Sequence, residues 1–107
     1  MENRERPAEC EEMIMSILWA AGKDLNLMDL TEQAEKRFGK VWKLQTVATF
    51  MTRLQKKGYI SIYRIGRYSH YHPEVTLDEY RAEKLKKVMV TMFDGSKKEL
   101  MNFIKGM

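Results

Sequence analysis

The sequence predicts a mainly α-helical fold carrying one small β-hairpin, and three observations predict it. Apolar residues recur at helical spacing through most of the chain, residues 59–72 switch to alternating side-chain types, and glycine, asparagine and serine punctuate the ends of the periodic segments. A length of 107 residues allows one modest domain and its extension, which excludes the large α/β enzyme folds. No apolar run approaches the roughly 18 residues of a membrane helix. The start of the chain, MENRERPAECEE, is charged and lacks the apolar core of a secretory signal, so the expected compartment is the cytoplasm, with no membrane insertion.

The first helix is expected from Ala8 to Ala21, where Cys10, Met13, Ile14, Ile17, Leu18 and Ala21 form a stripe. Pro7 suits its first turn, Glu9, Glu11 and Glu12 oppose the positive end of its dipole, and Gly22 suits the position past its end. Asn26, with Asp29 three residues on, caps a second helix whose stripe is Leu27, Leu30, Ala34 and Phe38 and whose stop is Gly39. A short turn to about Lys43 leads into a third helix over 44–57, closed by Gly58. Two helices joined by a short glycine-containing turn make a helix-turn-helix. The segment YISIYRIGRYSHYH then alternates, with Arg64 and Arg67 flanking a hairpin tip of Ile65 and Gly66.

Helix-turn-helix followed directly by a hairpin is the winged-helix order, closed here by Pro73. The expected division is a winged helix-turn-helix domain over 1–73 and a C-terminal helical region over 74–107. Thr76 with Glu79, and Ser96 with Glu99, form capping boxes for helices over 77–93 and 97–105, broken at Asp94-Gly95.

Charge is segregated along this plan. Residues 1–35 hold three basic against nine acidic side chains, residues 36–72 hold nine basic and no acidic ones, and residues 73–107 hold seven basic and six acidic. An acid-free stretch of 37 residues is the electrostatic footprint of a surface for a polyanion. On the third helix, Val47, Phe50, Met51 and Leu54 gather on one side, while Gln45, Thr46, Thr49, Thr52, Arg53 and Lys56 gather on the other. Arg53 can grip a guanine edge in two places. Gln45, Thr46 and Thr49 can bond bases or phosphates, and a threonine methyl can touch thymine. Lys43, Lys56, Lys57, Arg64 and Arg67 are expected to hold phosphates, and five neutralised charges imply a log–log salt slope of about −4 to −5 per subunit. The expected partner is therefore double-stranded DNA.

The last third places Leu77, Tyr80, Leu85, Val88, Met89, Met92, Phe93, Leu100, Phe103 and Ile104 on two short helices. That apolar surface exceeds what two helices bury between themselves, so a second copy of the chain is the expected cover, which makes these the dimerisation residues and implies a pseudo-palindromic DNA site.

Taken together, the chain resembles the penicillinase-repressor family of bacterial winged-helix regulators, the BlaI/MecI type with its copper-responsive relatives. The resemblance rests on Glu12-Met13, Ile17-Leu18-Trp19, Trp42, Thr46-Val47-Ala48-Thr49, Arg53-Leu54, Lys57-Gly58, Gly66-Arg67, Tyr71 with Pro73, Asp78-Glu79-Tyr80 and Phe93-Asp94-Gly95-Ser96. It implies a homodimeric repressor with C-terminal dimerisation helices. In the β-lactam-responsive branch it further implies inactivation by C-terminal proteolysis downstream of a membrane sensor-protease, with Asn102-Phe103 resembling the bond cut. Lys43 departs from the family's Ser or Thr cap after the tryptophan, and the sequence carries no Cys-x-Cys tail, so the copper-responsive branch is not the one expected.

Other chemistry is poorly supported. His70 and His72 share a strand face but have no neighbouring thiol in sequence, so neither a metal nor a cofactor is expected. Cys10 falls on the first helix's stripe and is expected to be a buried thiol. No nucleophile–base spacing, paired-carboxylate signature or phosphate loop occurs, so the chain is not expected to be an enzyme. The competing reading is a winged-helix module whose basic face meets an acidic protein instead of DNA.

Overall fold

The computed structural model describes residues 5–107; Met1 to Arg4, which open the acidic segment and include Glu2 and Arg4 of its charge count, lie outside the described residues. The order is α1 (Glu9–Ala21), β1 (Leu25–Asn26), α2 (Leu27–Phe38), α3 (Leu44–Lys56), β2 (Ile60–Ile65), β3 (Tyr68–Pro73), α4 (Leu77–Met92) and α5 (Lys97–Lys105). Five helices with a three-stranded antiparallel sheet confirm the mainly α winged-helix class. The chain divides into two compact units, 1–76 and 77–107, so the first extends three residues past the boundary expected at Pro73. The reason is packing: Val75 is buried, its carbonyl accepts a 2.8 Å bond from the Trp19 indole, and the Glu74 amide bonds the Tyr59 carbonyl at 2.8 Å.

The first unit is built around α1, which packs on α2, α3 and β3. Because it is covered on several sides, its buried arc is Glu11, Ile14, Met15, Ile17 and Leu18, broader than the expected stripe and rotated from it. Cys10 and Met13 are half-buried and Ala21 exposed, so the expected buried thiol is only partly covered. Pro7 stands before the N-cap residue Ala8, and so precedes the first turn. Leu30 and Ala34 of α2 and Val47, Met51 and Leu54 of α3 complete the helical core. Truncating any of the larger ones to alanine costs about 2–5 kcal/mol.

α2 starts and stops as its residues dictate: Asn26 Oδ1 accepts from the Asp29 amide at 2.9 Å, and Gly39 takes the left-handed conformation at φ 67°. The hairpin gains a strand that alternation alone does not reveal, since two residues are too few to show a period. β1 pairs with β3, giving the order β1-β3-β2, with Leu25 opposite Tyr71 and Asn26 opposite His70. Leu25, Ile60 and Tyr71 face the core. Ile65 pairs with Tyr68, which makes Gly66 and Arg67 the two turn residues and moves the tip one position from the expected Ile65-Gly66. Gly66 has φ 63° whereas Arg67 stays at negative φ, the pattern of a type II′ turn, whose first central position needs glycine.

In the second unit, Ser96 Oγ accepts from the Glu99 amide at 3.1 Å, capping α5, and the connection bends through Asp94 (φ 48°) and Gly95 (φ 76°). The Phe93 and Phe103 rings lie 5.6 Å apart, but neither α4 nor α5 has a buried residue. Among the described residues, no helix is long and apolar enough to cross a membrane.

Candidate nucleic-acid interface

Burying Val47, Met51 and Leu54 turns the opposite side of α3 outward, since each residue rotates the helix by roughly 100°. Gln45, Thr52, Arg53 and Lys56 are exposed, and Thr46 and Thr49 half-buried. The threonine-bearing stripe is thus accessible. Trp42 and Phe50, 5.1 Å apart edge to face, brace the start of the helix. Lys43 is the N-cap residue and supplies no side-chain cap; its carbonyl accepts from the Thr46 amide at 3.0 Å.

Lys43, Arg53, Lys56, Arg64 and Arg67 are all exposed, and none pairs with a carboxylate among the described residues. Arg64 donates from Nη2 to the Arg67 carbonyl at 2.9 Å, which stiffens the hairpin tip while keeping the guanidinium at the surface.

Lys57 behaves differently from its sequence neighbours. Its Nζ lies 2.7 Å from Glu11 Oε1 and donates to the Arg6 carbonyl at 3.1 Å, with the lysine side chain 15 % exposed and the glutamate 2 %. Glu11 Oε1 also accepts from the Ala8 amide at 3.1 Å. Lys57 therefore fastens the end of α3 to the start of α1, with its charge paired to Glu11 and two of its three ammonium hydrogens engaged there. A pairing 46 residues apart in sequence left no local trace.

Sequence reasoning also missed several surface residues. Ile65 and Tyr68, paired across the strands next to the hairpin turn, stand 58 % and 56 % exposed, where a charge count cannot see them. Lys40 and Arg37 add exposed cations next to the helix-helix turn, Arg37 lying 5.7 Å over the Phe38 ring.

The histidine face does acquire a carboxylate, from the α1–β1 turn. His72 Nδ1 lies 2.8 Å from Asp24 Oδ1, and the Tyr63 hydroxyl donates to Asp24 Oδ2 at 2.6 Å. Tyr63 and His70, directly opposed on β2 and β3, stack at 5.6 Å. The bonds from Tyr63 and His72 hold Asp24 below the usual carboxylate range, and the bond to Asp24 raises both Tyr63 and His72. Among the described residues, no three His, Cys, Asp or Glu side chains converge as a metal site requires.

A helix-turn-helix whose second helix presents an accessible polar face, followed by a cation-tipped hairpin, defines the winged-helix class of DNA-binding domains. Residues 7–106 match the family model described as penicillinase repressor. The chain belongs to that family of repressors, and is a regulator rather than an enzyme.

Solved structures agree on the fold. The chain is similar to the DNA-binding domain of the repressor BlaI in solution, with 24 % identity, a TM-score of 0.61, and coverage of 75 % of this chain and 94 % of that one. It is also similar to monomeric Bacillus licheniformis BlaI in complex with the blaP half-operator, with 23 % identity, a TM-score of 0.57, and 73 % and 92 % covered. The structure of an hsRosR-S1 complex matches with 12 % identity, a TM-score of 0.60, and 92 % and 89 % covered. No curated protein sequence matches the chain.

Proposed function

We propose that the protein represses its target genes as a homodimer, binding a pseudo-palindromic DNA operator through α3 and the hairpin, and that it belongs to the β-lactam-responsive type relieved by C-terminal proteolysis. The observation that carries the DNA reading is the set of four exposed cations without carboxylate partners, Lys43, Lys56, Arg64 and Arg67, on α3, its N-cap and the hairpin that follows it, together with an accessible stripe of Gln45, Thr46, Thr49 and Arg53 on α3. Arg53 reads a base, Gln45 and the threonines supplement it, and Lys43, Lys56, Arg64 and Arg67 hold phosphates. With Lys57 committed to Glu11, four phosphates per subunit remain, and the salt slope becomes about −3 to −4.

Dimerisation is supported by α4 and α5, which bury no residue and leave Leu85, Met92, Phe103 and Ile104 roughly half or more exposed. The same apolar set, with Leu77, Tyr80, Val88, Met89, Phe93 and Leu100, would be covered by a second copy. Cleavage between Asn102 and Phe103 by a protease under a membrane sensor would remove Phe103 and Ile104 from that surface and weaken the dimer. α5 is nine residues long, so opening it into the extended form a protease needs is cheap.

Selection from randomised duplex DNA at moderate salt tests the reading. A two-fold-symmetric site should be enriched, and Arg53→Ala should weaken binding by about 1–3 kcal/mol. If no palindrome emerges and Arg53→Ala leaves binding unchanged, the repressor reading is wrong and the basic face serves a protein partner.

A further inference from the structure

We infer that Thr49 and Thr52 recognise thymine through their methyl groups, and not through hydroxyl donation; this rests on the DNA-reading role proposed for α3. Both residues lie on the side of α3 opposite Val47 and Leu54, and Thr52 is exposed. The Thr49 hydroxyl donates to the Gln45 carbonyl at 3.0 Å and the Thr52 hydroxyl to the Ala48 carbonyl at 3.1 Å. A hydroxyl has one hydrogen. With that hydrogen committed to the preceding turn of the helix, neither residue can donate to the major-groove acceptors N7 and O6 of guanine, N7 of adenine or O4 of thymine. What each side chain keeps for a partner is a fixed Cγ2 methyl and the oxygen lone pairs.

Ala48, half-buried beside them, adds a third methyl, so residues 48, 49 and 52 form a small apolar strip inside a cationic surface. The base-edge feature that matches an apolar strip is the C5 methyl of thymine, which cytosine, adenine and guanine lack. The surrounding cations hold the backbone, and the strip discriminates by excluding water between methyl groups. The hydroxyl bonds also hold the side chains in one rotamer, so little side-chain entropy remains to be lost on contact.

The experiment uses the full chain and a duplex obtained by selection, with each thymine of one half-site replaced in turn by deoxyuridine, which removes only the methyl. At one position wild-type affinity should fall about four-fold, the value of one buried methyl group. Thr49→Val and Thr52→Val, which keep a methyl in place, should bind within about two-fold of wild type. Thr49→Ser or Thr52→Ser should lose about four-fold, and one of them should be indifferent to deoxyuridine at the sensitive position. Valine and serine have similar helix propensities, and thermal melting checks that each variant is folded. Deoxyuridine without effect at every position, or serine variants that bind as wild type while valine variants fail, would overturn the inference and leave the repressor reading standing. Failure of the wild type to select any sequence would overturn both.

Discussion

Replacing Lys57 by methionine separates a structural lysine from a phosphate-binding one. The substitution keeps the length of the stem but leaves the Glu11 carboxylate, 2 % exposed, without its 2.7 Å partner. Removing one member of a buried ion pair costs about 3–5 kcal/mol, and the 15 % exposure of Lys57 puts this case at the low end, about 3 kcal/mol. For a unit of this size each kcal/mol moves the melting temperature by about 4–8 °C, so a drop of about 12–24 °C is expected in thermal denaturation. Glu11→Met combined with Lys57→Met should recover much of the loss, because an apolar pair of similar volume avoids the stranded charge. DNA titrations over a range of salt, at a temperature where the variant is folded, should then give the wild-type slope. Lys56→Ala should give the opposite pattern, with melting unchanged and the slope shallower by about 0.9. If Lys57→Met melts like wild type while its salt slope becomes shallower by that amount, the tether between α1 and α3 is not what the lysine does.

Three further outcomes are expected. Phe103→Asp, which places a charge on a surface now 60 % exposed and apolar, should shift sedimentation toward the monomer; an unaltered dimer would remove α5 from the interface. Asp24→Asn should flatten the dependence of stability on pH. Because Asp24 raises His72, the pair's contribution is full below the ordinary histidine value of 6.5 and is lost as pH rises through the higher folded value. Because Asp24 is itself depressed, the contribution is also lost as pH falls through a folded value below 3.8. Both side chains are substantially exposed, so the effect is at most about 1 kcal/mol, and matching melting profiles of the two proteins from mildly acidic to mildly alkaline pH would refute it. Gly66→Ala should destabilise the hairpin by about 1 kcal/mol in urea unfolding, through backbone strain alone, since a Cβ there meets nothing within 4 Å; an unchanged midpoint would show that the turn readily adopts another form.

Local chemistry was enough to give the order of the five helices and the hairpin, though not the two-residue strand β1. The Asn26 cap, Gly39, the alternation from Tyr59 and the Ser96 cap each act within a few residues of chain, and each appears where its residue type requires it. The acid-free composition of residues 36–72 likewise belongs to the chain itself. Which of those cations stay available does not. Only folding brings Glu11 against Lys57 and Asp24 against His72, across 46 and 48 residues, and only the cross-strand register moves Arg67 from beside the tip into the turn. A residue's type sets the charge it carries. Whether that charge faces solvent or is neutralised by a distant partner depends on long-range packing, which only the tertiary structure decides.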